Sequence, residues 1–307
     1  MTEQLGPALI ACPLVTFLQA TLMGLLQGAS ELFPVSSLAH AVLFPALVGW
    51  DELAHAQAQP ESFFLAFLVG LHVATALALL VYFRDDWSKI VRGFFRSIGR
   101  RSISGPDERL AWLLVVATIP AGITGLALEH SLRVVFAKPL AAAAFLMVNG
   151  VILLVGERFR RRAEVRALAG RHGGDERHPG RRLETLEFKE AGIIGVAQTL
   201  ALFAGISRSG ITMVAGLVRG LDHEDAARFS FLLATPIILA AGVYKLPDLF
   251  GPLGSGIRGQ VLVGSLAAGL MAYVSVRFLM RYFETKTLTP FGVYCLVFGA
   301  ALVVRFA

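Results

Sequence analysis

A cluster of hydrogen-bonding side chains interrupts an apolar stretch close to the start of the sequence. Gln27 and Glu31 are four residues apart, so a helix would place both on one face. Pro34 ends that helix, and the turn that begins after it has free backbone N–H groups that can receive an anion. Ser37 and His40 follow at a spacing of three residues, which brings a hydroxyl nucleophile within reach of a proton partner. This pattern indicates a nucleophilic site, with Ser37 as the hydroxyl nucleophile, His40 as its acid–base partner and Glu31 as a further candidate catalytic residue.

A second polar cluster lies in the second half of the chain, in the run Gly205-Ile-Ser-Arg-Ser-Gly210 and the nearby Thr212. Its glycines allow the backbone to approach a ligand closely, and its hydroxyls can donate hydrogen bonds. Arg208 presents a planar fork of N–H groups that matches phosphate oxygens, and it is predicted to be catalytic as well. The two clusters together predict a phosphate site whose oxygens are held by Gln27, Ser36, Gln198, Ser207, Ser209, Gly210 and Thr212.

Both clusters interrupt segments that would otherwise be membrane helices, residues 8–48 and residues 191–219. Charged side chains are costly in the middle of a bilayer, and irregular backbone persists there only beside protein or a water-filled cavity. We therefore expect both segments to be re-entrant helical hairpins that meet at a polar cavity.

The two interrupted segments also resemble each other. When the numbering is shifted by 171, Gln27 aligns with Gln198 and Ser36 aligns with Ser207. Matching interruptions in two halves of a membrane protein are the usual trace of an inverted repeat, with the ligand site at the interface of the repeats. The sequence thus predicts an inverted repeat built around the two hairpins.

The amino-acid composition indicates that the two clusters lie in a membrane protein. Hydrophobic residues make up 55% of the 307 positions and the mean hydropathy is +0.66, more than a soluble core requires. Nucleic acid is excluded as a partner, because the net charge of +6 comes from basic residues that crowd into short loops. The prediction is a single all-α integral membrane domain over residues 1–307, with about six spanning helices at 63–83, 110–128, 140–155, 229–243, 261–278 and 289–304.

Positive charge predicts the orientation of the chain in the membrane. The segments 84–109 and 157–190 are rich in Lys and Arg, which is typical of cytoplasmic loops. Parity then puts the segment 51–62 and a turn at 129–138 outside. We expect the polar cavity to open to that outer face, because the hairpin at 8–48 enters and leaves from it.

Both motifs resemble those of a known family. The residues Gln27-x-x-x-Glu31 and Pro34-Val-Ser-Ser-x-x-His40 are similar to the E/Q-xxx-E and PVSSxxH motifs of the undecaprenyl-pyrophosphate phosphatases, the bacitracin-resistance family. The run Gly205-Ile-Ser-Arg-Ser-Gly210 is similar to that family's PGxSRSG motif. The likeness extends to Ile119-Pro-Ala in a middle span and to Phe229-Ser-Phe-Leu-Leu-Ala-Thr-Pro236 after the second motif.

The sequence departs from the family's pattern in three places. Gln27 stands in place of a carboxylate, which weakens a metal site of two carboxylates. Ala204 replaces the proline expected before the second motif, which softens the turn there. Leu38 and Ala39 replace a Thr-Gly-like pair, so a hydroxyl beside the nucleophile is missing.

The resemblance implies hydrolysis of a C55 isoprenoid pyrophosphate to the monophosphate with release of inorganic phosphate, which recycles the lipid that carries cell-wall precursors. It implies a multi-pass protein of the bacterial inner membrane. The expected partners are a long-chain isoprenoid pyrophosphate and the bilayer, and the choice between a monomer and a homodimer is left open. A divalent cation, Mg²⁺ or Ca²⁺, is expected near Glu31 and Gln27, and no organic cofactor is expected.

Two alternatives stay open at this stage. Water activated by His40 or Glu31 could attack the phosphate directly, because spacing does not distinguish that route from a phosphoseryl step. An inverted repeat would also suit a transporter or flippase of a phosphorylated lipid, although such a protein needs no hydroxyl–histidine pair beside a phosphate clamp. His72, inside the span 63–83 that follows the first hairpin, is expected to hydrogen-bond between helices near the site, and it is interpreted as a packed polar residue and not as a catalyst.

Overall fold

The computed structural model describes residues 15–57, 62–136, 138–169, 181–251 and 254–307. Within these ranges the chain forms α-helices and two short 3-10 turns, and no β-strand. The helices are α1 (Phe17–Ser30), α2 (Ser37–Val48), α3 (Asp51–Gln57), α4 (Phe63–Tyr82), α5 (Arg84–Arg100), α6 (Pro106–Phe136), α7 (Pro139–Ala169), α8 (Phe188–Gln198), α9 (Arg208–Val218), α10 (His223–Phe250), α11 (Arg258–Phe283) and α12 (Thr289–Phe306).

Six helices in the described part of the chain are long and apolar enough to cross a membrane. They are α4, α6, α7, α10, α11 and α12, and each contains one of the predicted spans or most of it. At a rise of about 1.5 Å per residue, even the 18-residue α12 approaches the thickness of the bilayer's hydrocarbon core. The prediction of an all-α polytopic membrane protein is therefore confirmed.

Each of the two interrupted segments forms a pair of short helices. The break 31–36 separates α1 from α2, while the 3-10 turn Thr199–Leu202 and the break 203–207 separate α8 from α9. The four helices have 14, 12, 11 and 11 residues, so none of them can cross the hydrocarbon core alone. Their re-entrant course through the bilayer and the inverted repeat stay predictions.

Small residues let the first helix of each pair pack closely on a spanning helix. Gly28 of α1 lies against the backbone of α11 at Ala268, and a side chain at position 28 would collide with it. Gly195 of α8 lies in the same way against the backbone of α6 at Ala117. Close approach through small residues is common between membrane helices, because lipid provides no hydrophobic drive for their association. Both contacts lie within the last turn of their helices, shortly before the breaks.

Three predicted boundaries differ from the structure. α6 continues through most of the predicted turn at 129–138, and α7 continues into the predicted loop at 157–190. Likewise, α5 fills most of the basic segment 84–109. α5 and the extension of α7 are rich in Arg, which favours helix, and in α7 Arg160 pairs with Glu164 one turn later.

Parts of four predicted segments lie outside the described residues. They are residues 8–14 of the first hairpin, residues 58–61 of the outer segment 51–62, residue 137 of the turn 129–138 and the Gly- and Arg-rich stretch 170–180.

An arginine clamp holds the chain that leads into α8. Both terminal nitrogens of Arg181 donate to the Glu190 carboxylate, at 2.8 and 3.1 Å, and one of them also donates to the carbonyl oxygen of Arg219 at 3.1 Å. The Arg181 guanidinium holds the pKa of Glu190 below its usual range, so the pair is ionised at neutral pH. The clamp ties the start of α8 to the end of α9 and so positions the second helix pair.

Candidate active site

Glu31 joins the two polar clusters. It lies in the break between α1 and α2, where it is only 7% exposed. Its Oε1 accepts a hydrogen bond from Arg208 Nη2 at 2.8 Å, and its Oε2 accepts from Ser37 Oγ at 2.5 Å and from Gln27 Nε2 at 3.1 Å. The two interrupted segments thus meet at Glu31, which belongs to the first segment and pairs with Arg208 of the second. A carboxylate that accepts from a hydroxyl and pairs with a guanidinium is arranged as a general base beside an anion-binding group.

Ser37 and Arg208 are each the first residue of a helix. Ser36 caps α2 and Ser207 caps α9, and their side-chain oxygens accept from backbone N–H groups of the first helical turn at 3.3 and 3.1 Å. The first N–H groups of a helix carry a partial positive charge that favours anions. The two helix N-termini therefore add to the positive charge of Arg208.

The backbone is kinked in both breaks. Ser36 has φ +68° and ψ 99°, a conformation that costs a non-glycine residue about 1–3 kcal/mol. Gly205 has φ +125°, and a Cβ there would collide with the backbone and side chain of Phe145. Each kink redirects the chain just before the second helix of its pair begins.

The two breaks border one cavity of about 390 Å³. Apolar side chains of α4 and α10, among them Leu65, Leu68 and Ile237, form much of its wall. A cavity with a few polar groups in an apolar wall suits a ligand with a charged head and a hydrocarbon tail. The polar side chains at the two breaks and on α4 that line it are Glu31, Ser36, Ser37, His72, Gln198, Ser207 and Arg208.

His72 on α4 belongs to this site, although it was interpreted as a packed polar residue. Its Nε2 lies 3.4 Å from Glu31 Oε2, and its Nδ1 lies 2.8 Å from the carbonyl oxygen of Leu68. The contact with its own helix fixes the ring so that the other nitrogen faces the carboxylate. The sequence suggests that His72 lies near the site, because its span follows the first hairpin, but only the packing of the helices brings its ring to Glu31.

His40 lies away from the Ser37 hydroxyl, which corrects the pairing expected from their spacing. Its Nδ1 is 2.8 Å from the carbonyl oxygen of Ser36, and its Nε2 is 2.8 Å from the hydroxyl of Tyr294 on α12. The ring also stacks on Phe298. Because Ser37 starts the helix, its hydroxyl can turn to Glu31 while the histidine ring packs on α12. The partner of the Ser37 proton is therefore Glu31.

The residues predicted to hold phosphate oxygens divide into two groups. Ser36, Gln198 and Ser207 line the cavity, where a ligand can reach them. The others do not line it, because their polar groups bond within the protein: Gln27 to Glu31, Ser209 to Phe33 and Ser207, Gly210 to Ser207, and Thr212 to Ser230 and Arg208. Ser209, Gly210 and Thr212 thereby support the two breaks from behind, whereas Gln27 bonds to Glu31 only through its Nε2 and keeps its Oε1 unpaired beside that carboxylate.

Oxygen ligands for a divalent cation are present but few. Among the described residues, no group of three or more His, Cys, Asp or Glu side chains could hold a metal ion. The Oε1 atoms of Gln27 and Gln198 are buried and have no hydrogen-bond partner, and Gln27 adjoins Glu31. Mg²⁺ is often held by one or two carboxylates together with substrate phosphates. Glu31 and Gln27 therefore fit a cation that is shared with a phosphate ligand.

The fold and the site together define a polytopic membrane protein with a buried carboxylate, and a partly buried hydroxyl and guanidinium, at the meeting point of two broken helical segments. Residues 20–301 match the model of the protein family described as bacitracin resistance protein BacA. The chain belongs to that family.

Individual relatives resemble the chain over nearly its whole length. It is 58% identical to an undecaprenyl-diphosphatase of Mycolicibacterium paratuberculosis, over 95% of this chain and 98% of the relative. It is 56% identical to undecaprenyl-diphosphatase 2 of Frankia alni, with the same coverage of both chains. For undecaprenyl-diphosphatase 2 of Chromobacterium violaceum the identity is 45%, over 92% of this chain and 96% of the relative. The family resemblance of the two motifs is thus confirmed.

Proposed function

We propose that this protein hydrolyses undecaprenyl pyrophosphate to undecaprenyl phosphate and inorganic phosphate, and so recycles the lipid carrier of cell-wall synthesis. The observation that carries the proposal is the hydrogen bond from Ser37 Oγ to Glu31, with Arg208 on the other carboxylate oxygen. A nucleophile, a proton acceptor and a phosphate-binding group thereby share one cavity. The names of the relatives support the same substrate.

The reaction follows from the roles of these three residues. Arg208 and the N-termini of α2 and α9 stabilise the negative charge of the terminal phosphate. Ser37 Oγ attacks the terminal phosphorus while Glu31 takes the hydroxyl proton. The bond from that phosphorus to the bridging oxygen breaks, and the bonding pair leaves with undecaprenyl phosphate. Water then releases inorganic phosphate from Ser37.

In direct attack by water the same residues have different roles. Glu31 takes the proton from water, and Ser37 holds a phosphate oxygen. Both routes need Glu31 as the base.

A transporter or flippase of a phosphorylated lipid is the second candidate, since broken helix pairs also suit that architecture. The Ser37–Glu31 hydrogen bond favours the hydrolase, because transport requires no activated hydroxyl. The test is phosphate release from purified, detergent-solubilised protein given undecaprenyl pyrophosphate, with and without a chelator. We expect inorganic phosphate and undecaprenyl phosphate in equal amounts. Substrate that stays intact with cation present contradicts the hydrolase.

We further propose that a divalent cation, Mg²⁺ or Ca²⁺, is held by Glu31 and Gln27 Oε1 together with the substrate. The support is the buried amide oxygen of Gln27, which has no partner and adjoins the carboxylate. When bound, the cation would neutralise part of the pyrophosphate charge.

Gln27→Glu is expected to lower the Mg²⁺ concentration for half-maximal activity on the order of tenfold, because it adds a second carboxylate ligand. The measurement is phosphate release during a Mg²⁺ titration of metal-free protein. Gln260→Glu is the control, because Gln260 is a buried glutamine on α11 that does not line the cavity. A half-saturating concentration equal to that of the wild type would remove Gln27 from the cation site.

We also propose that the protein lies in the bacterial inner membrane with its cavity open to the outer face. The support is the basic character of α5 and of the second half of α7, which is typical of the cytoplasmic side. In this orientation α3, between the first helix pair and α4, is outside.

Thiol labelling in intact cells tests this orientation. Glu52 on α3 and Gly99 on α5 are exposed, and each is replaced separately by cysteine in a Cys12→Ser background. Cys295 stays, since it is buried. An impermeant maleimide is expected to label Glu52→Cys and leave Gly99→Cys unlabelled. The opposite pattern would invert the topology and put the opening on the cytoplasmic side.

A further inference from the structure

Asn149 on α7 bonds to both breaks although it belongs to neither helix pair. Its side chain is fully buried. Its Nδ2 donates to the carbonyl oxygen of Pro34 at 3.0 Å, and its Oδ1 accepts from the backbone N–H of Ser207 at 2.9 Å. One planar amide therefore connects the first break with the second.

An asparagine suits this position because each break has a backbone group without a helical partner. The N–H of Ser207 precedes α9, and the carbonyl of Pro34 lies in the turn before α2. A buried backbone group without a hydrogen bond is destabilising, so each requires a partner from outside its own segment. The side-chain amide of asparagine offers a donor and an acceptor in one rigid plane, so it can serve both groups at once. Nδ2 also faces Cys295 Sγ at 3.4 Å, which fixes the orientation of the amide.

The two backbone groups that Asn149 bonds lie close in sequence to the reacting residues. The carbonyl that Asn149 holds lies midway in sequence between Glu31 and Ser37, and the N–H that it holds directly precedes Arg208. The amide thus sets the separation of the two backbones that carry the reacting groups. Asn149 does not line the cavity.

We propose that Asn149 is a positioning residue for the hydrolysis: by bridging the two breaks it keeps the Ser37–Glu31 pair opposite Arg208. This inference rests on the proposed function. A shift of a reacting group by about 1 Å can lower turnover on the order of 10²-fold, and we expect an effect of this size when the bridge is lost. Substrate binding through the cavity wall is unaffected by such a change.

The first test is the pH dependence of Asn149→Asp. An ionised carboxylate cannot donate to Pro34, whereas a neutral carboxylic acid has one donor and one acceptor, like the amide. We expect kcat relative to wild type to be reduced about 10²-fold at alkaline pH and to recover as the pH falls. Cys295 faces position 149 in both proteins and every other ionisable group is also common to both, so the ratio isolates the substituted residue. A loss that is equal at every pH would overturn the proposal.

The second test is a double-mutant cycle with Asn149→Leu and Arg208→Lys. Without the bridge, Arg208 is no longer aimed at the substrate, so its replacement should cost less in the leucine background than in the wild type. The kcat of Asn149→Leu is expected to fall about 10²-fold with KM within a few-fold of the wild type. Additive losses, or a loss confined to KM, would show that Asn149 only stabilises the fold.

Two controls make the outcome unambiguous. Ser275→Ala changes another buried polar residue, on α11, which lines no part of the cavity, and should leave kcat unchanged. Wild-type turnover in the same preparation tests the proposed function separately. Absence of phosphate release from the wild type contradicts the function itself, whereas normal wild-type turnover with additive losses contradicts the role of Asn149. If the leucine variant does not fold, the pH profile of Asn149→Asp decides.

Discussion

Replacement of Ser37 by alanine is expected to reduce phosphate release on the order of 10³-fold or more, the scale on which loss of a nucleophile acts in other hydrolases. Ser37 Oγ already donates to Glu31 at 2.5 Å and lines the cavity, so its deprotonation requires no rearrangement. The measurement is initial-rate phosphate release from undecaprenyl pyrophosphate at saturating substrate.

Ser36→Ala is the matched control for this change. The Ser36 hydroxyl caps α2 by accepting from the backbone N–H of Ala39, so its loss costs about 1 kcal/mol of local stability and weakens activity without abolishing it. Full activity of Ser37→Ala would shift the mechanism to direct attack by water. Equal losses in both variants would mean that the helix start matters and the Ser37 hydroxyl does not.

Arg208→Lys is expected to lose about 2–4 kcal/mol of transition-state stabilisation, the scale of a missing oxyanion donor, although the positive charge is kept. The guanidinium can hold Glu31 at 2.8 Å with one nitrogen and present its other N–H groups to phosphate oxygens. A lysine offers a single ammonium group at the end of a flexible stem and cannot do both. The measurement is kcat/KM for the two proteins under identical conditions.

Arg228→Lys is the control for this substitution. Arg228 on α10 pairs with Asp86 of α5, does not line the cavity, and should tolerate the change with little effect on kcat/KM. Near-normal turnover of Arg208→Lys would remove bidentate phosphate binding from the mechanism.

The spanning helices were predictable because each is an apolar run of nearly bilayer length. Their polar extensions were not, since the 129–138 and 157–190 segments leave the apolar pattern while local helix propensity continues the helix. The two breaks were predictable as well, because polar residues within apolar membrane segments are costly and usually mark a functional site. The sequence therefore predicts that Glu31 and Arg208 lie in the same cavity, since each lies at one of the two breaks. It does not predict that they form a direct ion pair.

The errors at the site concern contacts that sequence spacing does not encode. Ser37 and His40 are one helical turn apart, but Tyr294 holds the histidine ring on α12, 254 residues away in the chain. His72 and Asn149 are single polar residues inside apolar spans, a pattern that is equally typical of packed residues. Only the packing of α4 and α7 on the breaks distinguishes them.

The central claim is that Glu31 takes the proton of the attacking hydroxyl, whether that hydroxyl belongs to Ser37 or to water. Glu31→Gln tests it most directly, because the amide keeps the size of the side chain and an oxygen that can accept from Ser37, but it cannot take up a proton at neutral pH. The measurement is kcat for phosphate release from undecaprenyl pyrophosphate by the purified variant and the wild type. The account predicts a decrease of about 10²–10⁴-fold, the usual contribution of a general base. Turnover within a few-fold of the wild type would contradict it.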